Sequence, residues 1–160
     1  MKALLQRVEQ AALYLVDDDG RRREHARIGA GLCVLVGVAE GDTEGHATRL
    51  ADKTVGLRIF DDAAGKLNRD AREAEADLLV VSQFTLLADS RKGRRPSFTR
   101  AARPPLGQAL YERYVQALRD LGFTPQTGVF GAHMVVEIHN DGPVTVLLDT
   151  DELTGVAGEQ

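Results

Sequence analysis

The run Leu78-Leu79-Val80-Val81-Ser82-Gln83-Phe84-Thr85-Leu86 changes character halfway along its length. Its first four residues are apolar and β-prone, which predicts a buried strand. Polar residues then follow directly at the end of that strand. Hydroxyl side chains commonly cap a strand end without any chemical role, and this interpretation stays open. The alternative is a reaction site, in which the Thr85 or Ser82 hydroxyl acts as a nucleophile or a hydrogen-bond donor.

A nucleophilic hydroxyl needs a base within reach, and the sequence offers little. None of the four histidines belongs to a triad motif, and Asp89 is the only carboxylate close to Thr85 along the chain. Backbone N–H groups at the strand end are a second option, because they can stabilise an oxyanion without any special side chain.

A second polar stretch, Asn140-Asp141-Gly142-Pro143-Val144-Thr145, separates two strand-like runs near the C-terminus. On local chemistry alone it predicts a hairpin turn, because Asn, Asp, Gly and Pro each favour turn conformations.

Apolar periodicity predicts about seven strands and two helices. The predicted strands are residues 4–16, 21–28, 32–38, 78–81, 124–130, 134–139 and 144–148. One helix has its N-cap at Thr43 and ends near Phe60, and a second runs from about Leu106 to Leu121. Short connections favour antiparallel pairing. The pattern predicts an α+β fold, a single compact domain in which a barrel-like, mostly antiparallel β-sheet carries two packed helices.

The composition is that of one globular domain. A chain of 160 residues favours a single domain, expected over residues 1–150, with residues 151–160 as a flexible tail. Cys33 is the only cysteine, so no internal disulfide can form, and its apolar neighbours predict a buried, inert thiol. The N-terminus is too polar for a signal peptide, and no apolar run approaches the ~20 residues of a membrane span. We therefore expect a cytoplasmic protein.

Charge is unevenly distributed along the chain. The formal net charge is -4, whereas nucleic-acid-binding proteins are usually basic. Residues 90–111, here called the basic segment, nevertheless contain no acidic residue. A solvated basic loop and a local phosphate-binding patch are both consistent with this composition. The basic side chains of the segment are Arg91, Lys92, Arg94, Arg95, Arg100 and Arg103.

No metal or cofactor is expected from the sequence. Histidine and acidic residues show no zinc spacing, and the acidic cluster at residues 17–19 lacks the glutamate of a calcium loop. No glycine-rich phosphate loop follows any predicted strand.

Seven collinear segments make the chain similar to the D-aminoacyl-tRNA deacylases, the D-tyrosyl-tRNA deacylase family, over roughly residues 1–150. One short motif can match by chance, but seven in the same order make the resemblance specific. The segments are residues 6–8, 37–42, 57–60, 82–86, 91–98, 127–132 and 140–145.

The resemblance implies a homodimer whose active site lies at the subunit interface. Ser82, Gln83, Phe84 and Thr85 match the family's catalytic segment, which forms the pocket for the 3′-terminal adenosine of tRNA and its aminoacyl ester. The family's mechanism has two forms. In one the motif threonine is the nucleophile, and in the other backbone donors and the substrate's 2′-hydroxyl assist water. The poor supply of bases favours the second.

Substrate binding and chiral selection are implied for a second set of residues. Gly142-Pro143 matches a motif that enters the partner subunit's pocket, where its carbonyls contact the substrate amino group and an L side chain is blocked. Arg7 matches a position that holds this motif, and Phe130 and Met134 match pocket-lining positions.

The expected activity is hydrolysis of the ester bond of D-aminoacyl-tRNA, and of glycine mischarged on tRNA, with rejection of L-amino acids. The tRNA-binding residues would be Arg91, Lys92, Arg94 and Arg95. Two alternatives remain at this point: an RNA-binding module without turnover, and a hydrolase of small D-amino-acid esters or peptides.

Overall fold

The long first strand organises the sheet. The computed structural model describes residues 1–153, and in it β1 (Lys2–Val16) pairs antiparallel with three other strands. Along one edge it pairs with β3 (Gly31–Gly37) through its first half and with β2 (Arg22–Ile28) through its second half. Along the other edge it pairs with β8 (Met134–Asp149) over nearly its full length.

The sheet is mixed rather than uniformly antiparallel. Beyond β3 lies β6 (Asp77–Ser82), and beyond β6 lies the short β7 (Gln126–Thr127), and both of these pairings are parallel. The strand order β2-β1-β3-β6-β7, with β8 also on β1, gives the predicted barrel-like sheet. A separate two-stranded ribbon joins β4 (Phe60–Asp61) to β5 (Leu67–Arg69).

Two helices, α1 (Glu44–Gly56) and α2 (Leu106–Asp120), pack on each other and on one face of the sheet. Their apolar stripes are buried with the inward residues of β1, β3 and β6 in the larger core cluster. The fully buried Tyr114 of α2 donates its hydroxyl hydrogen to Thr54 Oγ1 of α1, at 2.9 Å. A smaller cluster, which includes Val8, Leu13 and Cys33, occupies the opposite face.

The C-terminal strand departs from the expected hairpin. Residues 134–149 form one continuous strand in which Thr145 is opposite Gln6 and Asn140 is opposite Val8. The residues between them, 141–144, therefore bulge out opposite Arg7 alone. The hairpin expected from the turn-forming residues is wrong, because the Asn140 side chain bridges the bulge instead. Its Nδ2 donates to the Arg7 carbonyl oxygen at 2.9 Å and to the Val144 carbonyl oxygen at 3.1 Å.

Two other expected boundaries differ. Helix α1 ends at Gly56 rather than near Phe60, because Leu57 is already extended and Phe60 pairs with β5. The strand expected over residues 124–130 is reduced to Gln126–Thr127, since the chain turns away at Gly128, which abuts Met134. The expected tail lies, from residue 154 onward, outside the described residues.

Within the described residues 1–153, no helix is long and apolar enough to cross a membrane. Over the same range, no group of three or more His, Cys, Asp or Glu side chains is arranged to hold a metal ion.

Candidate active site

A cavity of about 760 Å³ opens where β6 ends. The buried strand delivers Ser82 and Gln83 to the edge of the sheet, and a short 3-10 helix, Phe84–Leu87, follows at once. Three segments meet here from distant parts of the chain. The lining residues are Val81, Ser82, Gln83, Phe84, Phe98, Thr99, Ala101, Ala102, Arg103, Pro104, Phe130, Gly131, Ala132, His133, Met134 and Val136.

The strand end is fixed by hydrogen bonds of its own. The Gln83 N–H donates to the Val36 carbonyl oxygen at 2.7 Å, and the Gln83 side-chain amide donates to Thr85 Oγ1. Thr85 does not line the cavity. Within residues 1–153, its hydroxyl is hydrogen-bonded to neither a histidine nor a carboxylate. Among the described residues, Thr85 therefore has no general base in hydrogen-bonding contact with its hydroxyl.

Two backbone N–H groups are available as donors at the start of the 3-10 helix. The first N–H groups of a helix lack acceptors within that helix, and here these belong to Phe84 and Thr85. They lie beside the cavity-lining Ser82 and Gln83. Backbone N–H groups of this kind can stabilise negative charge on a reacting carbonyl oxygen.

An aromatic pair forms one side of the cavity. The rings of Phe84 and Phe98 meet edge to face, with their centroids 5.1 Å apart. Phe84 is 55% exposed although it is a large apolar residue, so it offers surface to a ligand rather than to the core. Phe98, which the sequence analysis did not assign to the site, comes from the basic segment.

Another part of the lining comes from the loop between β7 and β8 and from the start of β8. Phe130 packs near Tyr111, with ring centroids 6.1 Å apart, and Met134 Sδ accepts the Val129 N–H at 3.4 Å. The His133 carbonyl oxygen accepts the N–H of Val16 at 3.0 Å, which ties this loop to the end of β1. The expected pocket residues Phe130 and Met134 therefore lie on the same cavity as Ser82, Gln83 and Phe84.

Arg7 lies beside the 141–144 bulge and not on the cavity. It is buried, and its Nη1 donates to the Ile59 carbonyl oxygen at 3.0 Å and to Asp61 Oδ1 at 3.3 Å. Its Nε is 3.0 Å from Asp141 Oδ2, an ion pair without the directional geometry of a hydrogen bond. Gly142 follows with a positive φ of 117°, and the Gly142–Pro143 peptide bond is cis.

Gly142 and Pro143 are exposed and do not line the cavity of their own chain. The structure therefore divides the nine expected catalytic and substrate-binding residues. Ser82, Gln83, Phe84, Phe130 and Met134 lie on the cavity. Thr85 follows Phe84 just off the cavity, and Arg7, Gly142 and Pro143 lie at the bulge.

The basic segment contributes unequally. Arg91 is held by Asp89, with Nη2 2.6 Å from Oδ2 and Nε 2.9 Å from Oδ1, and this pairing keeps the pKa of Asp89 well below its usual range. Lys92, Arg94 and Arg95 are exposed and lie off the cavity. Arg103, which the sequence analysis counted only as one of the segment's charges, lines it. The absence of acidic residues in the basic segment is the sequence signal that could have indicated Arg103 as a candidate site residue.

Comparison with known proteins identifies the family of the chain. A family model described as D-Tyr-tRNA(Tyr) deacylase matches residues 4–149. The D-aminoacyl-tRNA deacylase of Thermotoga petrophila is 49% identical over 156 residues, which cover 96% of this chain and 99% of the relative. The D-aminoacyl-tRNA deacylase of Geobacter sulfurreducens is 51% identical over 150 residues, which cover 94% of this chain and 95% of the relative.

Solved structures show the same fold. The c-Myc DNA Unwinding Element Binding Protein aligns with a TM-score of 0.84 at 35% identity, over 93% of this chain and 98% of its own. A probable eukaryotic D-amino acid tRNA deacylase aligns with a TM-score of 0.74 at 21% identity, over 92% of this chain and 97% of its own, and supports the fold alone. With matches of this extent, the chain belongs to the D-Tyr-tRNA(Tyr) deacylase family.

Proposed function

We propose that this protein hydrolyses the ester bond that joins a D-amino acid to the 3′-terminal adenosine of tRNA. The observation that carries the proposal is the cavity at the end of β6, where Ser82, Gln83 and Phe84 face Phe130 and Met134 in a member of this deacylase family. Its volume of about 760 Å³ lies within the range of small-molecule sites and suits an aminoacylated nucleoside.

The reaction proceeds by attack of water on the ester carbonyl carbon. The bond between that carbon and the ribose oxygen breaks, the ribose oxygen takes up a proton, and free amino acid and tRNA leave. The N–H groups of Phe84 and Thr85 stabilise the negative charge that develops on the carbonyl oxygen. The substrate's neighbouring 2′-hydroxyl assists the water, because among the described residues the Thr85 hydroxyl is hydrogen-bonded to the Gln83 amide and not to a base.

Chiral selection comes from the bulge of a second subunit. Gly142-Pro143 enters the partner's cavity in a homodimer, and its carbonyl groups accept hydrogen bonds from the substrate's α-ammonium group. An L side chain would collide with this backbone, whereas a D side chain points away from it. Glycine, which has no side chain to reject, is hydrolysed too. The exposed position of Gly142 and Pro143 supports their insertion into the cavity of the partner subunit.

The edge of β8 supports the dimer. Among the described residues this 16-residue strand pairs only with β1, so its other edge is open. Leu147 on β8 is 55% exposed and adds apolar surface. The tRNA body is held by Arg91, Lys92, Arg94 and Arg95, whose charges give binding a marked salt dependence.

The test is deacylation of D-tyrosyl-tRNA, L-tyrosyl-tRNA and glycyl-tRNA side by side, with and without a chelator. Release of D-tyrosine and glycine but not L-tyrosine is expected, at rates that the chelator leaves unchanged. Equal release of both tyrosine enantiomers would remove chiral selection from the proposal.

Binding of tRNA without hydrolysis of any ester by the folded protein would contradict the enzyme. It would favour a nucleic-acid-binding role, of the kind that the name of the c-Myc DNA Unwinding Element Binding Protein describes for that relative. Equal rates on tRNA and on small D-amino-acid esters, with no effect of salt, would instead favour a small-molecule hydrolase.

A further inference from the structure

We propose that Arg103 binds the phosphate on the 5′ side of the tRNA's terminal adenosine, and so forms a phosphate subsite at the cavity. The inference rests on the proposed function for the identity of the nucleic acid. It differs from the assignment of tRNA binding to Arg91, Lys92, Arg94 and Arg95, because it places one particular phosphate at one particular side chain.

The first observation is the charge of the cavity wall. Among the described residues 1–153, Arg103 is the only one on the lining that is charged at every physiological pH, and none of the lining residues in this range is a carboxylate. The other titratable lining residue is His133. A single arginine among the cavity-lining residues favours a negatively charged group such as a phosphodiester beside it.

The second observation is that the backbone of Arg103 is fixed. The Ala102 N–H donates to the Val38 carbonyl oxygen at 2.9 Å, and the Arg103 N–H donates to Glu40 Oε1 at 3.3 Å. The Arg103 carbonyl oxygen accepts the Gly107 N–H at 3.0 Å, in the first turn of α2. Because the backbone is held from both sides, the side chain starts from a defined point on the cavity wall.

The third observation is that the guanidinium group remains available. Within residues 1–153, no carboxylate forms an ion pair with the exposed Arg103 side chain. Arg91, by contrast, already forms an ion pair with Asp89. Glu40 is the nearby carboxylate, and it accepts the backbone N–H of Arg103 rather than its side chain. The first turn of α2, which follows directly, also contains no acidic residue.

The proposed substrate carries a phosphate that such a group could bind. An ester held at Ser82 and Gln83 places the terminal adenosine in the cavity, and one phosphodiester must then leave it towards the rest of the tRNA. Arginine is suited to this task, because its planar guanidinium can donate two parallel hydrogen bonds to a phosphate. The contact holds substrate and transition state equally, so it lowers KM rather than raising kcat.

The experiment compares two non-hydrolysable ligands, a 3′-D-tyrosylamino-3′-deoxyadenosine with and without a 5′-phosphate, by calorimetry on the full chain. The unaltered protein should bind the phosphorylated ligand about tenfold more tightly, and Arg103→Ala should bind both alike. Arg103→Lys should recover part of the preference. Arg100→Ala is the matched control, because it removes the same charge from an exposed residue of the basic segment that does not line the cavity.

A second readout uses D-tyrosyl-tRNA. Arg103→Ala should raise KM with kcat unchanged, and should lower the slope of log KM against log salt by about 0.7, the share of one phosphate on a single strand. If the unaltered protein hydrolyses D-tyrosyl-tRNA but binds the two ligands equally, the phosphate subsite is refuted and the proposed function stands. That comparison needs no variant, so a misfolded Arg103→Ala cannot obscure it. Failure to hydrolyse any aminoacyl-tRNA would refute the proposed function instead.

Discussion

Arg7 Nε lies 3.0 Å from Asp141 Oδ2, directly before the glycine at which the 141–144 bulge turns outward. Arg7 is buried, whereas both of its acidic partners, Asp61 and Asp141, are about half exposed. The arginine therefore connects the β4–β5 ribbon to the bulge and positions the bulge. Its guanidinium fork reaches the Ile59 carbonyl oxygen and Asp141 together, which a single ammonium group cannot do.

Arg7→Lys should lower kcat/KM on D-aminoacyl-tRNA by about 10- to 100-fold, because small displacements of positioning groups are costly. Stability should fall by about 1–3 kcal/mol, as one charged hydrogen bond is lost. Kinetics on D-tyrosyl-tRNA and urea unfolding measure the two effects. Asp61→Asn is the control and should remain close to the unaltered protein, since Arg7 keeps Ile59 and Asp141. Full activity of Arg7→Lys would show that the bulge does not depend on the Arg7 guanidinium for its position.

Gly142→Ala should abolish most activity, with a loss of about 100-fold in kcat/KM. The residue has φ = 117°, and an added Cβ would lie 2.8 Å from Val144 Cγ2 and 3.2 Å from Arg7 Nη2. The methyl group would thus move the bulge away from its position beside Arg7. Gly20→Ala is the matched control, because φ there is 77° and nothing lies within 4 Å of the added Cβ.

Both glycine variants carry the backbone cost of a positive φ, about 1–2 kcal/mol. Only Gly142→Ala should lose deacylation of D-tyrosyl-tRNA. An equal loss of activity in both would mean that general destabilisation, and not the bulge, explains the result.

Local sequence patterns predicted the elements that depend on nearest neighbours. The apolar run Leu78–Val81 became β6, and the stripe of α2 led to a helix within one residue of the expected end. The bulge could not be found in this way. It depends on Asn140 bonding to the Arg7 carbonyl oxygen, 133 residues away along the chain, and local turn chemistry favoured a hairpin instead.

The residues of the candidate site also fall into those that a local motif predicts and those that long-range packing places there. Ser82, Gln83 and Phe84 were expected from one contiguous motif, and they do lie together on the cavity. Arg103 and Phe98 reach that cavity because the basic segment folds back against the residues that follow β3, through the Ala39–Ala101 bridge. Such a contact depends on long-range packing, which a motif does not encode. The sequence also grouped Arg91 with the other basic residues by charge, and it did not show that the Arg91 guanidinium forms an ion pair with Asp89.

Thr85→Ala should retain kcat within about tenfold of the unaltered protein, because no base within residues 1–153 is hydrogen-bonded to the hydroxyl and Thr85 does not line the cavity. Single-turnover hydrolysis of D-tyrosyl-tRNA measures this directly. Thr85→Val is a useful companion, since it removes the hydroxyl and keeps the shape of the side chain. Near-total loss in both variants, with circular dichroism unchanged, would instead identify Thr85 as the nucleophile.

The pH dependence of stability should carry the signature of Cys33. Burial raises the pKa of its thiol to about 12, from an ordinary value of 9.0. The native state therefore keeps this proton between pH 9 and 12, whereas the unfolded chain loses it. Because the unfolded state binds fewer protons in that window, the free energy of unfolding falls as pH rises, by about 1.4 kcal/mol per pH unit.

Other groups contribute in the same direction, because burial also raises the pKa values of Tyr111 and Tyr114. Urea unfolding of the unaltered protein and of Cys33→Ala, both under reducing conditions, isolates the thiol. Cys33→Ala removes the titrating group and keeps both tyrosines. Its stability should therefore fall less steeply above pH 9, and the two slopes should differ by about 1.4 kcal/mol per pH unit. Identical slopes would mean that the thiol ionises as readily in the native state as in the unfolded chain, which would contradict its burial against Leu79 and Val81 in the smaller core cluster.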